Sequence, residues 1–88
     1  GSYIVTNIYH LSWTVLKVYY PEAQSIYSNL YPLPNLDKEK DNWLFLSSPI
    51  SEETKNMVLD QGFIPEEIVN NGDIGTYTTY IYHLINED

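Results

Sequence analysis

The sequence predicts a small α+β domain: an antiparallel or mixed sheet of three or four strands, with two helices, at 22–31 and 51–61, packed on one face. Three observations lead to that class. The run from Trp43 to Phe63, WLFLSSPISEETKNMVLDQGF, reads as a buried strand followed by a capped helix. The stretch over 76–85, TYTTYIYHLI, alternates at the period of a strand. The 88 residues hold one core and no second, burying roughly 60–65% of the surface that the unfolded chain exposes.

In chain order, Gly1-Ser2 reads as a remnant of tag removal and is set aside. Residues 3–20, YIVTNIYHLSWTVLKVYY, are rich in β-branched and aromatic types, which lose rotamer freedom in a helix. Two strands, about 3–9 and 13–20, with a turn at His10–Ser12, therefore lead. One long bent strand or a helix are the alternatives, since Ile4, Ile8, Leu11, Val15 and Val18 also recur at helical spacing. PEAQSIYSNLY, from Pro21 to Tyr31, reads as a helix: proline first, Glu22 in the first turn, and Ala23, Ile26, Tyr27 and Leu30 on one face. Pro32 and Pro34 end it, and 32–42 reads as an exposed, mobile loop.

The central unit follows. Trp43–Leu46 forms a strand, Ser51 caps a helix whose first turn carries Glu52 and Glu53, and Gly62 closes it, with Phe63 packing back near Val58. Ile50, Thr54, Met57, Val58 and Gln61 make the face that lies on the sheet. Pro65 opens a short helical turn over Glu66, Glu67, Ile68 and Val69, and Asn70-Asn71-Gly72 with Gly75 ends it in a turn. In the last strand Tyr77, Thr79, Ile81, His83 and Ile85 point one way and Thr78, Tyr80, Tyr82 and Leu84 the other. Bulk on both faces makes this strand internal or covered on both sides. The chain order allows a split βαβ arrangement. A short echo, T-x-I-Y-H-L at 6–11 and again at 79–84, is too brief for a repeat and reads as two similar strands.

Composition bounds the chemistry. No cysteine means no disulfide, thiolate metal site or cysteine nucleophile, and fits a cytoplasmic location. No apolar run approaches the ~20 residues that span a bilayer. Twelve carboxylates face four lysines and no arginine, a net charge of −8. That charge repels phosphate, which argues against direct nucleic-acid or anionic-membrane binding and speeds encounter with a basic partner. It also serves the solubility of a tyrosine-rich chain. Abundant Tyr, Ile and Asn without Arg fits an AT-rich coding sequence, as in low-GC bacteria, their phages and mobile elements.

The catalytic constellations are weak. His10 and His83 would approach each other if the terminal strands paired, but a zinc site needs three or four ligands. Ser47-Ser48 follows a strand without a nucleophile elbow, and Pro49 and Ser51 account for it as a turn and cap. Glu52-Glu53 and Glu66-Glu67 sit at expected helix starts, where dipole stabilisation explains them. Gly72 and Gly75 lack phosphate-loop spacing. No enzyme, metal or cofactor is expected.

Binding remains. Nine tyrosines and two tryptophans exceed what one small core needs, and both types dominate protein–protein hot spots. The partner-facing residues expected are Asp37, Glu39, Asp41, Glu66, Glu67, Asp73 and Tyr77, an aromatic surface ringed by carboxylates. The nearest physical type is the small acidic antagonist encoded by phages and mobile elements, which occludes a basic site on a nucleic-acid-processing host protein. A structural domain that self-associates through Tyr-rich strands is the alternative.

Overall fold

The computed structural model of the chain describes residues 1–11, 16–74 and 77–87, with the backbone alone over 69–74 and 77–78. In order, the elements are β1 (Ser2–Thr6), α1 (Leu16–Tyr19), β2 (Gln24–Tyr27), β3 (Asp41–Leu46), α2 (Glu52–Asp60), β4 (Phe63–Ile74) and β5 (Tyr77–Asn86). The strands make one mixed sheet in the order β2-β1-β3-β5-β4. β1 runs parallel to β2 and β3, whereas β5 is antiparallel to β3 and β4. Parallel neighbours cannot be joined by a tight turn. The chain therefore crosses one face of the sheet between β1 and β2, carrying α1, and crosses the other as irregular backbone over 28–40.

Alternation along the strands feeds two apolar clusters. On the first face Tyr3, Val5, Leu44, Leu46, Phe63, Tyr82 and Leu84 pack with Val58 of α2 and with Leu30 and Leu33 of the second crossover. On the second face Ile4 and Phe45 pack with Ile8, Leu11 and Leu16. Burying each large apolar side chain contributes roughly 1.5–3 kcal/mol, so among the described residues the first cluster contributes the larger share.

Local chemistry holds the connections. The Ser51 hydroxyl oxygen accepts from the Thr54 N–H at 3.2 Å and caps α2. Gly62, at φ +87°, closes it in the left-handed region that glycine enters without a Cβ penalty. Gln61 clamps the crossover, accepting from the Leu36 N–H at 2.8 Å and donating to the Pro34 carbonyl at 3.0 Å. Leu30 itself adopts φ 69° and is buried, with its N–H donating to the Ser28 hydroxyl. The buried Asn42 donates from Nδ2 to the Asp37 and Lys40 carbonyls and so fixes the turn before β3. The Thr6 hydroxyl donates to the Phe45 carbonyl at 2.7 Å and accepts from the Ile8 N–H, turning the chain out of β1.

The central unit and the last strand fold as the sequence predicts: Thr54 and Val58 are buried, and β5 is internal. Other expectations are corrected. The sheet has five strands, and α1 and α2 lie on opposite faces because the two crossovers do. Residues 9–11 make a helical turn and 16–19 are helical, not a strand; Leu16 is the buried residue there and Val18 is exposed. Ser12 to Val15, which carry part of the expected second strand and its turn, lie outside the described residues.

Residues 22–31 are not a helix. Ala23 ends a turn, and Gln24–Tyr27 pairs with Tyr3–Thr6, so a long-range ladder overrides the local helix signal. The 32–42 segment is only partly exposed, since Leu33 is buried and Leu36 packs on the core. Pro65 to Val69 is strand, and β4 runs on through Asn70-Asn71-Gly72 to Ile74; Gly75 and Thr76 lie outside the described residues. The first T-x-I-Y-H-L copy leaves β1 at Thr6 and enters the helical turn, so the echo is not two strands. Ser2, set aside from the sequence, holds a ladder position opposite Asp41.

Candidate functional site

Among the described residues the second face is covered only in part. α1 has four residues, about 6 Å of helix, and its Leu16 belongs to a cluster with Ile4 of β1 and Phe45 of β3, against which Ile81 of β5 packs. Leu16 anchors it, the Tyr20 N–H donates to the Leu16 carbonyl at 2.9 Å, and Pro21 stops the helix, since its ring blocks continuation. The gap that remains is a cleft of about 610 Å³. Its near wall is Tyr19, Tyr20, Pro21, Glu22 and Ala23, its floor Ile4, Trp43, Phe45 and Ile81, its far wall Ile68, and Gly1 and Ser2 close one end.

Aromatic rings are set in fixed attitudes around it. The Trp43 indole stacks on the His83 imidazole at 4.3 Å between centroids and 19° between planes. Tyr20 meets Phe45 edge-on at 6.3 Å and 89°. Register extends the stack across three strands, with Trp43 opposite His83 and His83 opposite Glu66. Pro65 pairs with the core residue Leu84, so Glu66 projects to the cleft face by alternation. Beside it the apolar pair Ile64 and Ile85 is exposed, as is Ile68. Tyr19 is 71% exposed. On a sheet whose other face carries α2 and the 28–40 crossover, this is, among the described residues, an open apolar strip with carboxylates at its margin.

The structure divides the residues singled out from the sequence. Asp37, Glu39 and Asp41 are all exposed and lie together at the end of the sheet where β1, β2 and β3 begin. Asp37 also has a local duty, its carboxylate accepting from the Glu39 N–H at 2.9 Å. Register brings Glu22, Asp60 and Glu87 to the same end, the Glu87 N–H bonding to the Gly62 carbonyl. Glu66 and Glu67 are exposed on a strand and face opposite sides of it, so they form no pair at a helix start. Asp73 and Tyr77 belong to the far part of the β4–β5 ladder, and their side chains lie outside the described residues.

His10 and His83 are kept apart because β3 lies between β1 and β5, and His10 instead contacts Tyr9 edge-on. Among the described residues no three metal-ligating side chains converge. Sequence reasoning missed Tyr19, Tyr20, Trp43 and Ile68 as a group. Trp43 carried the one available signal, a large amphipathic ring alternating with the core residues Leu44 and Leu46. The comparisons with protein-family models, curated proteins and solved structures found no match to this chain.

Proposed function

We propose that the domain is a non-catalytic protein-binding module that antagonises a basic, nucleic-acid-processing protein by covering its basic surface, in the manner of small acidic proteins of phages and mobile elements. The observation that carries this reading is the open aromatic cleft beside an end of the sheet that bears Glu22, Asp37, Glu39, Asp41, Asp60 and Glu87. Desolvated aromatic anchors supply affinity, and a field of carboxylates supplies speed and orientation of encounter.

Affinity capture from a low-GC bacterial lysate, at low and at high salt, tests it. One dominant basic protein held at low salt and released at high salt is the expected result. Neutralising Asp37, Glu39 and Asp41 then slows association with that protein more than it speeds release. Binding that is indifferent to salt contradicts the reading.

Self-association is the second reading, favoured by exposed Ile64, Ile68 and Ile85 beside the 12-residue edge strand β4. That edge is poorly suited to pairing. Pro65 has no N–H, Glu66 and Glu67 add like charge, and the β4–β5 register shifts twice, between Glu67 and Val69 and between Val69 and Gly72.

A further inference from the structure

We infer that the cleft on the second face receives an arginine side chain of the basic partner, an inference that rests on the protein-binding reading and gives it a contact. The walls and floor supply aromatic surface from Tyr19, Tyr20, Trp43 and Phe45. Glu22 is the one charged side chain among the described lining residues, and Glu66 stands on the same face one ladder step beyond His83. None of the four lysines lines the cleft, and Lys38 and Lys40 lie beside the Asp37–Asp41 turn instead. Side-chain charge among the described lining residues thus has one sign, and the Gly1 amino group stands at the end that Gly1 and Ser2 close.

A guanidinium fits such a place better than an ammonium. It is planar and weakly hydrated, stacks on aromatic faces, and still presents N–H groups edgewise to a carboxylate. An ammonium is more strongly hydrated and loses more on entering an apolar recess. The stack on His83 takes one face of the indole and holds the ring in place, so a guanidinium meets the remaining surface of an already ordered ring. At about 610 Å³ the cleft is roomier than one side chain needs, which leaves space for the residues that flank the arginine. Exposed Ile64, Ile68 and Ile85 then meet apolar flanking residues.

The test titrates the full chain with a short unstructured peptide carrying one arginine between apolar residues, followed by NMR. The controls are the same peptide with citrulline, which keeps the shape and removes the charge, and free arginine. The arginine peptide moves the Trp43 indole N–H resonance, and the citrulline peptide and free arginine each bind about tenfold more weakly or worse. Tyr19→Ala and Glu22→Gln, both at exposed positions, weaken the arginine peptide severalfold, while Glu52→Gln with Glu53→Gln, at the start of α2, leaves it unchanged. Equal binding of the citrulline peptide overturns the inference, and so does equal binding of free arginine, which assigns a small-molecule site. Shifts confined to the Asp37–Asp41 turn overturn it too, yet leave the acidic module of the capture experiment standing. A capture that yields no basic partner, with the arginine peptide still moving Trp43, strikes the protein-binding reading alone.

Discussion

The two faces of the sheet are built from the same strands and treated differently by the chain. On the first, α2 and the 28–40 crossover cover Tyr3, Val5, Leu44, Leu46, Phe63, Tyr82 and Leu84. On the second, among the described residues, a four-residue helix packs over β1 and β3, and Ile64, Ile68 and Ile85 are exposed beside Trp43 and the cleft. Apolar surface left in water does nothing for folding, because folding does not remove it. The contrast separates residues that hold the domain together from residues available to a partner.

Neighbouring residues of β4 give the sharpest way to break that contrast. Phe63, 1% exposed, faces the first cluster, and Ile64 faces solvent on the other side. Phe63→Ala destabilises by about 3–5 kcal/mol in urea unfolding, whereas Ile64→Ser stays within about 0.5 kcal/mol. Comparable losses for the two would erase the distinction between faces.

Closing the first face depends on how α2 begins and ends, so the next effects are smaller. Gly62→Ala forces a Cβ into the left-handed region and costs about 1–2 kcal/mol; the nearest atom to the new methyl is the tip of Lys38, which can move aside. Ser51→Ala removes the cap and costs about 1 kcal/mol, measured the same way.

The smallest effect is in pH. Burial of the Tyr3 hydroxyl on the first face pushes its pKa above the ordinary 10.0, since the phenolate is desolvated. A folded-state pKa that is raised means the native state keeps its proton where the unfolded chain has lost it. Stability from this group is thus full below pH 10 and falls as pH climbs above it, and Tyr3→Phe flattens that alkaline limb in a pH series of unfolding midpoints.

The same contrast explains what could be read from the sequence. α2 was legible because its signals are local: a serine cap, acidic residues in the first turn, apolar residues at helical spacing and a closing glycine. β5 was legible because an internal strand shows its period along its own length. The two segments misread as helical, 22–31 and 65–69, contain the edge strand β2 and the start of the edge strand β4, each with a proline near its beginning. Edge strands and first helical turns both tolerate proline, so proline followed by glutamate cannot distinguish them. Long-range pairing with Tyr3–Thr6 and with Tyr82–Asn86 decides the matter, and no local window contains it. The exposure of the acidic turn at 37–41 was legible for the same local reason as α2. The cleft was not, because its walls come from α1, β1, β3, β4 and β5 together.

Ile68→Ser, on the far wall of the cleft, tests the division of labour most directly when stability and arginine-peptide affinity are measured on the same protein. An unfolding free energy within about 0.5 kcal/mol of the parent is expected, together with about tenfold weaker peptide binding. A large loss of stability with unchanged binding would contradict it, by making the second face a part of the core.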